Sequence, residues 1–146
     1  MRKITNVRKK GLAMIATIAA VFVINCTVPI YAANDNIGYS FEIKANYKNS
    51  YSSSRYRQTK NTDNKWKVNM TYSGEGKGTV TTYWLAKDNF SRTRVSDTHD
   101  VKQGSGAHYY KAYKSASDTK VRLGAENNND SSKTYTVSGY WDEETK

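Results

Sequence analysis

The residue types of a hydrolytic site occur together in one stretch of the chain. Ser105 stands between two glycines, and His99, His108, Asp97 and Asp100 lie nearby in sequence. A nucleophilic triad needs a serine, a base and an orienting acid within hydrogen-bond reach of one another. The stretch lacks the strand-turn-helix context of a nucleophile elbow, and Gly-Ser-Gly is more simply a flexible turn. We therefore predict that the protein is not an enzyme.

Two further groups carry side chains that can ligate metals. His99 and His108 are the only histidines, whereas a zinc site usually has three or four protein ligands in a tight geometry. The acidic run from Asp142 to Glu144 lacks the Asp/Asn/Gly pattern of a calcium loop, and it is more typical of a solvated tail. The sequence therefore predicts no metal site and no cofactor.

The segment from 46 to 60 has the composition of a binding surface. It contains three Tyr, four basic residues and no acid. Aromatic rings of this kind can stack on sugars, and the cations can pair with phosphate or carboxylate. A solvated loop or an edge strand is the alternative. The residues predicted to bind a ligand are Tyr47, Tyr51, Arg55, Tyr56, Arg57 and Lys60.

Strict alternation of apolar and polar residues predicts the strands that position these residues. Turns rich in Gly, Asn, Asp and Ser separate the alternating runs, and no segment after the first thirty-odd residues has a helical period. The sequence therefore predicts an antiparallel β-sandwich of about six to eight short strands, or a small barrel. Alternation marks residues 39–45, 66–72, 80–84, 107–113, 121–125 and 135–141, with a weaker strand over 93–95.

Large aromatic side chains are expected to fill the space between the sheets. Trp66, Trp84 and Trp141 are predicted to be core residues, because a small sandwich needs bulky inward side chains. Gly139 interrupts the last alternating run, and it is expected to mark a β-bulge.

The start of the chain has the layout of a secretory signal peptide. Five basic residues precede an apolar run from Gly11 to Ile24, which is shorter than the roughly 20 residues of a spanning helix. Small residues follow, and cleavage after Ala32 or Ala33 fits them. We predict a signal peptide over residues 1–32 and one secreted domain over 33–146.

Cys26 provides an alternative to ordinary cleavage. Residues 23–26 loosely resemble a lipobox, although Asn25 stands where Gly, Ala or Ser is expected. Lipidation of Cys26 is therefore the less favoured alternative. Because Cys26 is the only cysteine, the exported domain is expected to contain no disulfide.

Removing the leader changes the charge of the chain. All five basic residues before residue 11 are lost, while the 13 acidic residues remain, so the net charge falls from +10 to +5. A moderate positive charge favours anionic partners outside the cell, such as a wall polymer or a lipid-linked wall precursor. An exported protein is not expected to bind nucleic acid.

Seven short motifs resemble those of a small exported family of Gram-positive bacteria, domain of unknown function 2712. The resemblance covers nearly the whole exported domain and implies no catalytic residue. The motifs are Gly38-Tyr39-Ser40-Phe41, Ser54-Arg55-Tyr56-Arg57, Trp66-Lys67-Val68, Ser73-Gly74-Glu75-Gly76, Tyr83-Trp84-Leu85-Ala86, Gly124-Ala125-Glu126-Asn127-Asn128 and Gly139-Tyr140-Trp141-Asp142-Glu143.

A looser likeness is to the lactococcin-972-type bacteriocins. Those proteins are exported, basic, rich in Tyr and Trp, free of cysteine in the mature part, and folded as small β-sandwiches that act on cell-wall synthesis. This chain is longer and ends in acidic residues. The likeness is one of type, and it favours a role at the cell wall.

The sequence therefore predicts a secreted, non-enzymatic, envelope-associated binding protein. A bacteriocin-like action on the cell wall or on lipid-linked wall precursors is the leading hypothesis. The alternative is an extracellular partner or signal protein that docks onto a membrane receptor or transporter of the same cell. The oligomeric state is left open, since exposed edge strands can pair.

Overall fold

Two antiparallel β-sheets form the part of the chain that the structure describes. The computed structural model describes residues 34–145, so the predicted signal peptide and Cys26 lie outside the described residues. Within this range there are nine strands and one turn of 3₁₀ helix, Lys114–Ala116. The strands are β1 (Ile37–Ile43), β2 (Ser50–Tyr51), β3 (Arg55–Arg57), β4 (Trp66–Ser73), β5 (Val80–Lys87), β6 (His99–Lys102), β7 (His108–Tyr110), β8 (Thr119–Asn127) and β9 (Tyr135–Asp142).

The strand order divides the fold into a first and a second sheet. The first sheet has the order β1-β9-β4-β7, and the second has the order β2-β8-β5-β6. Strand β3 also pairs with β8, on the same edge as β2. Every pairing between these strands is antiparallel. The predicted all-β fold is confirmed.

Alternation located the long strands and the short β7, but it did not locate β2, β3 and β6. Strands β1, β4, β5, β8 and β9 coincide with predicted runs, but only His108–Tyr110 of the run at 107–113 is a strand. The weak strand at 93–95 reduces to an isolated bridge between Ala86 and Arg94. Segment 46–60 supplies the edge strands β2 and β3, and β6 was not predicted. These short strands bring the number in the described range above the predicted eight.

The core lies between the two sheets and is built from alternate side chains. Ile43, Val68, Leu85, Leu123 and Val137 each have no exposed surface. Their burial removes apolar surface from water, at about 25 cal/mol per Å². Two of the tryptophans predicted for the core, Trp66 and Trp141, belong to this cluster.

Trp84 is buried as predicted, with 1% of its surface exposed, but it lies on the outer face of the second sheet and not in the cluster between the sheets. Its neighbours in β5, Tyr83 and Leu85, point into the core cluster, and side chains alternate along a strand. The ring lies against Gly124 of β8, where a Cβ atom would be 2.5 Å from two ring atoms. The guanidinium of Arg94 lies 5.1 Å above the ring centroid.

A β-bulge lies in β4, opposite the predicted position. Met70 pairs with Gly139 and Tyr72 with Ser138, which leaves Thr71 as the extra residue. At Gly139 a Cβ atom would lie 1.9 Å from the carbonyl oxygen of Asn69. The glycine of β9 therefore makes room for the bulged backbone and is not itself the extra residue.

Candidate functional site

The six residues predicted to bind a ligand do not lie on one face. Tyr56 and Lys60 share one carboxylate, because the Tyr56 hydroxyl donates to Asp118 and the Lys60 ammonium lies 3.8 Å from it. The prediction that these six residues bind a ligand stays a prediction. The structure separates them into three groups. Tyr51 lines a cleft, and Arg55 and Arg57 contact the acidic residues near the C-terminus. The other three, Tyr47, Tyr56 and Lys60, are exposed elsewhere.

Arg57 lies inside the fold, with 1% of its surface exposed. Its guanidinium donates to the backbone carbonyls of Glu143 and Asn64, the latter at 2.6 Å. The neighbouring Arg55 donates to the carboxylate of Glu143 and lies 3.3 Å from that of Asp35. These arginines join segment 46–60 to both ends of the described chain.

The acidic run from Asp142 to Glu144 is buried, so the predicted solvated tail is wrong. These three residues expose between 1% and 5% of their surface. The carboxylate of Glu144 accepts hydrogen bonds from the backbone N–H groups of Gln58 at 3.2 Å and Thr59 at 2.7 Å. Donors from a distant segment thus replace water around these charges, as burial of a charge requires.

A buried ion pair completes this polar cluster. The Lys67 ammonium lies 3.9 Å from the Asp142 carboxylate, and each side chain is 2% exposed. Lys67 also donates to the side-chain oxygens of Asn34 and, at 2.8 Å, of Asn36. Burial raises the pKa of Asp142 to about 6, while hydrogen bonding and Lys67 oppose the rise. The sequence analysis missed this pair, which has a structural role.

A cleft of about 240 Å³ opens where the edges of the two sheets meet. Tyr39 and Phe41 of β1 form one side, with ring centroids 5.2 Å apart. The Tyr39 hydroxyl bonds the Tyr83 hydroxyl at 2.9 Å inside the core, and burial raises the pKa of Tyr39 above its ordinary value. Tyr51, Ser52 and Ser53 line the opposite side.

Three neighbouring side chains hold Tyr51 in place. Its ring packs edge-on against Trp84 at 6.2 Å, and its hydroxyl accepts a hydrogen bond from the Asn49 amide at 3.2 Å. The Arg92 guanidinium lies over the same ring, 5.8 Å from the centroid. The ring is therefore preorganised, and it is only partly buried.

Two arginines and one carboxylate lie beside the cleft. Arg122 donates to Asp88 at 2.7 Å and to the carbonyl of Ser52 at 2.6 Å, and Arg92 donates to the same Asp88 oxygen at 2.6 Å. Hydrogen bonds from Arg122, Ser54 and Arg92 hold the pKa of Asp88 well below its usual range. One carboxylate against two guanidiniums leaves a net positive charge, which favours an anionic ligand.

The exposed lining of this cleft is mostly polar. Its serines can accept or donate hydrogen bonds, and its aromatic residues can add stacking contacts. Its volume is below the roughly 300–1,000 Å³ typical of sites for drug-sized ligands. It therefore fits a single ring of a longer polymer better than a whole cofactor.

Ser105 and His108 do come together. The Ser105 oxygen lies 2.8 Å from His108 Nε2, and the Ser105 hydroxyl donates to the carbonyl of Lys102 at 2.7 Å. A serine hydroxyl has one proton, and a carbonyl can only accept. The proton between Ser105 and His108 then belongs to the histidine, which is the opposite of a base that activates a nucleophile.

His99, the other histidine of the predicted site, is not part of the contact between Ser105 and His108. His99 stacks on Tyr110 with ring centroids 3.6 Å apart, and burial lowers the pKa of His99. In residues 34–145 no three side chains of His, Cys, Asp or Glu are grouped as metal ligands. The same range contains no helix long and apolar enough to span a bilayer.

Comparison with known proteins agrees with the motifs of the sequence. No curated protein and no solved structure matches the chain. A family model described as protein of unknown function (DUF2712) matches residues 26–145, so the predicted resemblance to that family is confirmed, while the likeness to bacteriocins stays a prediction. The match covers most of the sequence, and the chain therefore belongs to the DUF2712 family.

Proposed function

We propose that this is a secreted, non-enzymatic protein that binds an anionic glycan of the cell envelope, either a wall polymer or a lipid-linked wall precursor. The observation that carries the proposal is Tyr51, a residue that lines the cleft and has the Arg92 guanidinium over its ring. Such a pair offers a stacking surface and a cation to the same ligand.

The aromatic wall supports a sugar as the ligand. Tyr51 and Phe41 are partly buried, and both line the cleft. A sugar ring that stacks there removes apolar surface from water without a change in backbone conformation. The serines on both sides of the cleft offer hydrogen bonds to the sugar hydroxyls.

The arginines support a negative charge on that sugar. Arg92 keeps 35% of its side chain exposed and Arg122 keeps 24%, although both bond to Asp88. A phosphate or carboxylate near the cleft can accept further hydrogen bonds from these guanidiniums. Since Arg92 is the more exposed, it is the residue that we assign to the anion.

The predicted signal peptide supports a location outside the cell membrane. An exported domain with a net charge of +5 is attracted to anions of the envelope such as teichoic acids and lipid-linked precursors. The bacteriocin-like hypothesis adds that binding interferes with wall synthesis. Binding does not by itself imply toxicity, but a toxic action on wall synthesis requires binding.

The test is sedimentation of the exported domain with purified peptidoglycan, with and without teichoic acid, and with liposomes that carry lipid-linked precursor. Tyr51→Ala is expected to weaken binding about tenfold, since an aromatic contact of about 1.4 kcal/mol corresponds to a factor of ten. Tyr72→Ala is the matched control, because Tyr72 is an exposed tyrosine of the first sheet, 54% exposed.

Arg92→Gln provides a second variant, which keeps the Tyr51 ring and removes the guanidinium over it. It is expected to reduce the salt dependence of binding, because it removes one charge contact. Equal binding by the Tyr51→Ala and Tyr72→Ala proteins would refute the cleft as the site. If the unaltered domain sedimented with none of these materials, the proposal would fail and a protein partner would replace it.

A further inference from the structure

Phe90 is the most exposed large apolar side chain of the described residues. Its exposed fraction is 105%, so the side chain touches almost nothing else in the fold. It lies in the turn after β5, between Asn89 and Ser91, which are also exposed. A phenylalanine ring in water loses the free energy that burial would provide, so its position at a turn calls for a partner.

The turn that carries Phe90 is fixed by hydrogen bonds. The N–H of Lys87 bonds the carbonyl of Thr93 at 2.8 Å, and the N–H of Arg92 bonds that of Asn89 at 3.2 Å. The Asn89 side chain bonds Thr93 twice, each time at 3.2 Å. A fixed turn loses little conformational entropy when its tip becomes buried in a partner.

Basic residues are close to Phe90 in sequence. Lys87, Arg92 and Arg94 lie within four residues of it, and the guanidinium of Arg94 lies over the Trp84 ring. The only acid in the turn is Asp88, whose charge is already met by Arg92 and Arg122. The turn therefore offers a partner one exposed apolar ring and the basic side chains of the same segment.

We propose that the turn at 88–92 docks the protein on a bilayer that contains anionic lipids. Phe90 enters the boundary between headgroups and acyl chains, and Lys87 and Arg94 lie against the phosphates. An apolar side chain combined with clustered cations is the pattern that binds anionic membrane surfaces. The inference goes beyond the proposed glycan binding and does not depend on it.

A protein partner fits these observations less well. A stable protein interface buries about 800 Å² on each side around an apolar centre, whereas the residues next to Phe90 are polar or cationic. No other large apolar side chain that is exposed in residues 34–145 belongs to this turn. One exposed aromatic ring with basic residues close by in sequence suits a layer of anionic lipid headgroups, because headgroups on every side of the inserted ring can pair with the cations.

Docking would also orient the cleft. Arg92 belongs to the docking turn and lies over the Tyr51 ring of the cleft. A domain that docks through Phe90 thus holds the cleft close to the headgroups. A lipid-linked precursor presents its sugars and phosphates at that level, so the two sites would act on neighbouring parts of one ligand.

The test is the binding of the exported domain to phosphatidylcholine vesicles with and without phosphatidylglycerol. We expect binding only when phosphatidylglycerol is present, and we expect Phe90→Ala to weaken it roughly 10- to 100-fold, the equivalent of burying one phenylalanine side chain. Tyr72→Ala again serves as the control and should bind as the unaltered protein does. Replacing both Lys87 and Arg94 with Gln should lower the affinity and its salt dependence.

Phe90→Trp gives a readout of insertion. Its fluorescence should shift to shorter wavelength on vesicle addition and should be quenched by brominated acyl chains. Equal vesicle binding by Phe90→Ala and Tyr72→Ala, or a fluorescence that vesicles leave unchanged, would overturn the proposal. Phe90→Ala should leave sedimentation with peptidoglycan unchanged, so a failure of docking and a failure of glycan binding are told apart.

Discussion

Replacing Gly124 with alanine tests how the cleft wall is supported. The new Cβ atom would lie 2.5 Å from Cε2 and Nε1 of Trp84 and 2.9 Å from Cζ2. Non-bonded carbon atoms prefer separations of about 3.5–4.0 Å, so the ring must move by roughly 1 Å. It cannot move freely, because Arg94 lies above it and Tyr51 packs against its edge.

The expected cost follows from this overpacking. Extra atoms in a well-packed site cost about 1–3 kcal/mol. Unfolding entropy of about 2.1 cal/mol/K per residue, over a domain of this size, makes 1 kcal/mol equal to about 4 °C in Tm. Gly124→Ala should therefore lower Tm by roughly 4–12 °C, measured by thermal denaturation followed by circular dichroism.

Gly74→Ala is the matched control. A Cβ atom at Gly74 would meet its nearest neighbours at 3.5 Å, which is ordinary contact. The change should leave Tm the same or raise it slightly, because alanine reduces the freedom of the unfolded chain. Equal Tm values for the two variants would refute the close contact between Gly124 and Trp84. The penalty of Gly124→Ala should also shrink in a Trp84→Leu background, and a double-mutant cycle without coupling would refute it again.

Two further predictions concern the buried polar cluster. The pKa of Asp142 is raised from about 3.8 to about 6, so the folded state binds this proton more tightly than the unfolded state, and this titration alone adds roughly 1 kcal/mol of stability as pH falls from 7 to 5. His99, whose pKa burial lowers, acts in the opposite direction, so the test is the difference between the unaltered protein and Asp142→Asn in urea denaturation at the two pH values; an equal pH dependence of the two proteins would contradict the assignment to Asp142. Arg57→Met should lower the free energy of unfolding by about 3 kcal/mol, because it leaves the carbonyls of Glu143 and Asn64 without their buried donor. A loss within about 0.5 kcal/mol, the usual size of a surface substitution, would contradict that role.

The long strands could be predicted because their burial follows a local rule. Side chains of Phe41, Val68 and Leu123 alternate with polar neighbours, and that period is visible in any single strand. The same rule does not say which face of a strand is inner when both faces are apolar. Trp84 and Leu85 are both buried, on opposite faces of β5, so the alternation rule could not tell on which face of the sheet Trp84 lies.

The cleft and the polar cluster depend on pairings that no local pattern records. Asp142 and Glu144 were read as solvated because their partners, Lys67 and the backbone of residues 58 and 59, lie far away in sequence. From its own segment, Tyr51 was predicted to bind a ligand, whereas the contacts of Arg92 with Tyr51 and of Arg122 with Ser52 arise only from the fold. Composition can thus suggest a type of ligand, while the position of the site depends on the strand order.

The place of β9 between β1 and β4 has a consequence for the order in which the fold can assemble. A chain that emerges N-terminus first, from a ribosome or a translocation channel, exposes the edges of β1 and β4 long before the strand that joins them appears. Pairing of the first strand with the last makes most of the structure depend on distant contacts, which slows folding. The domain should therefore remain incompletely paired until β9 has emerged, and then close in one cooperative step.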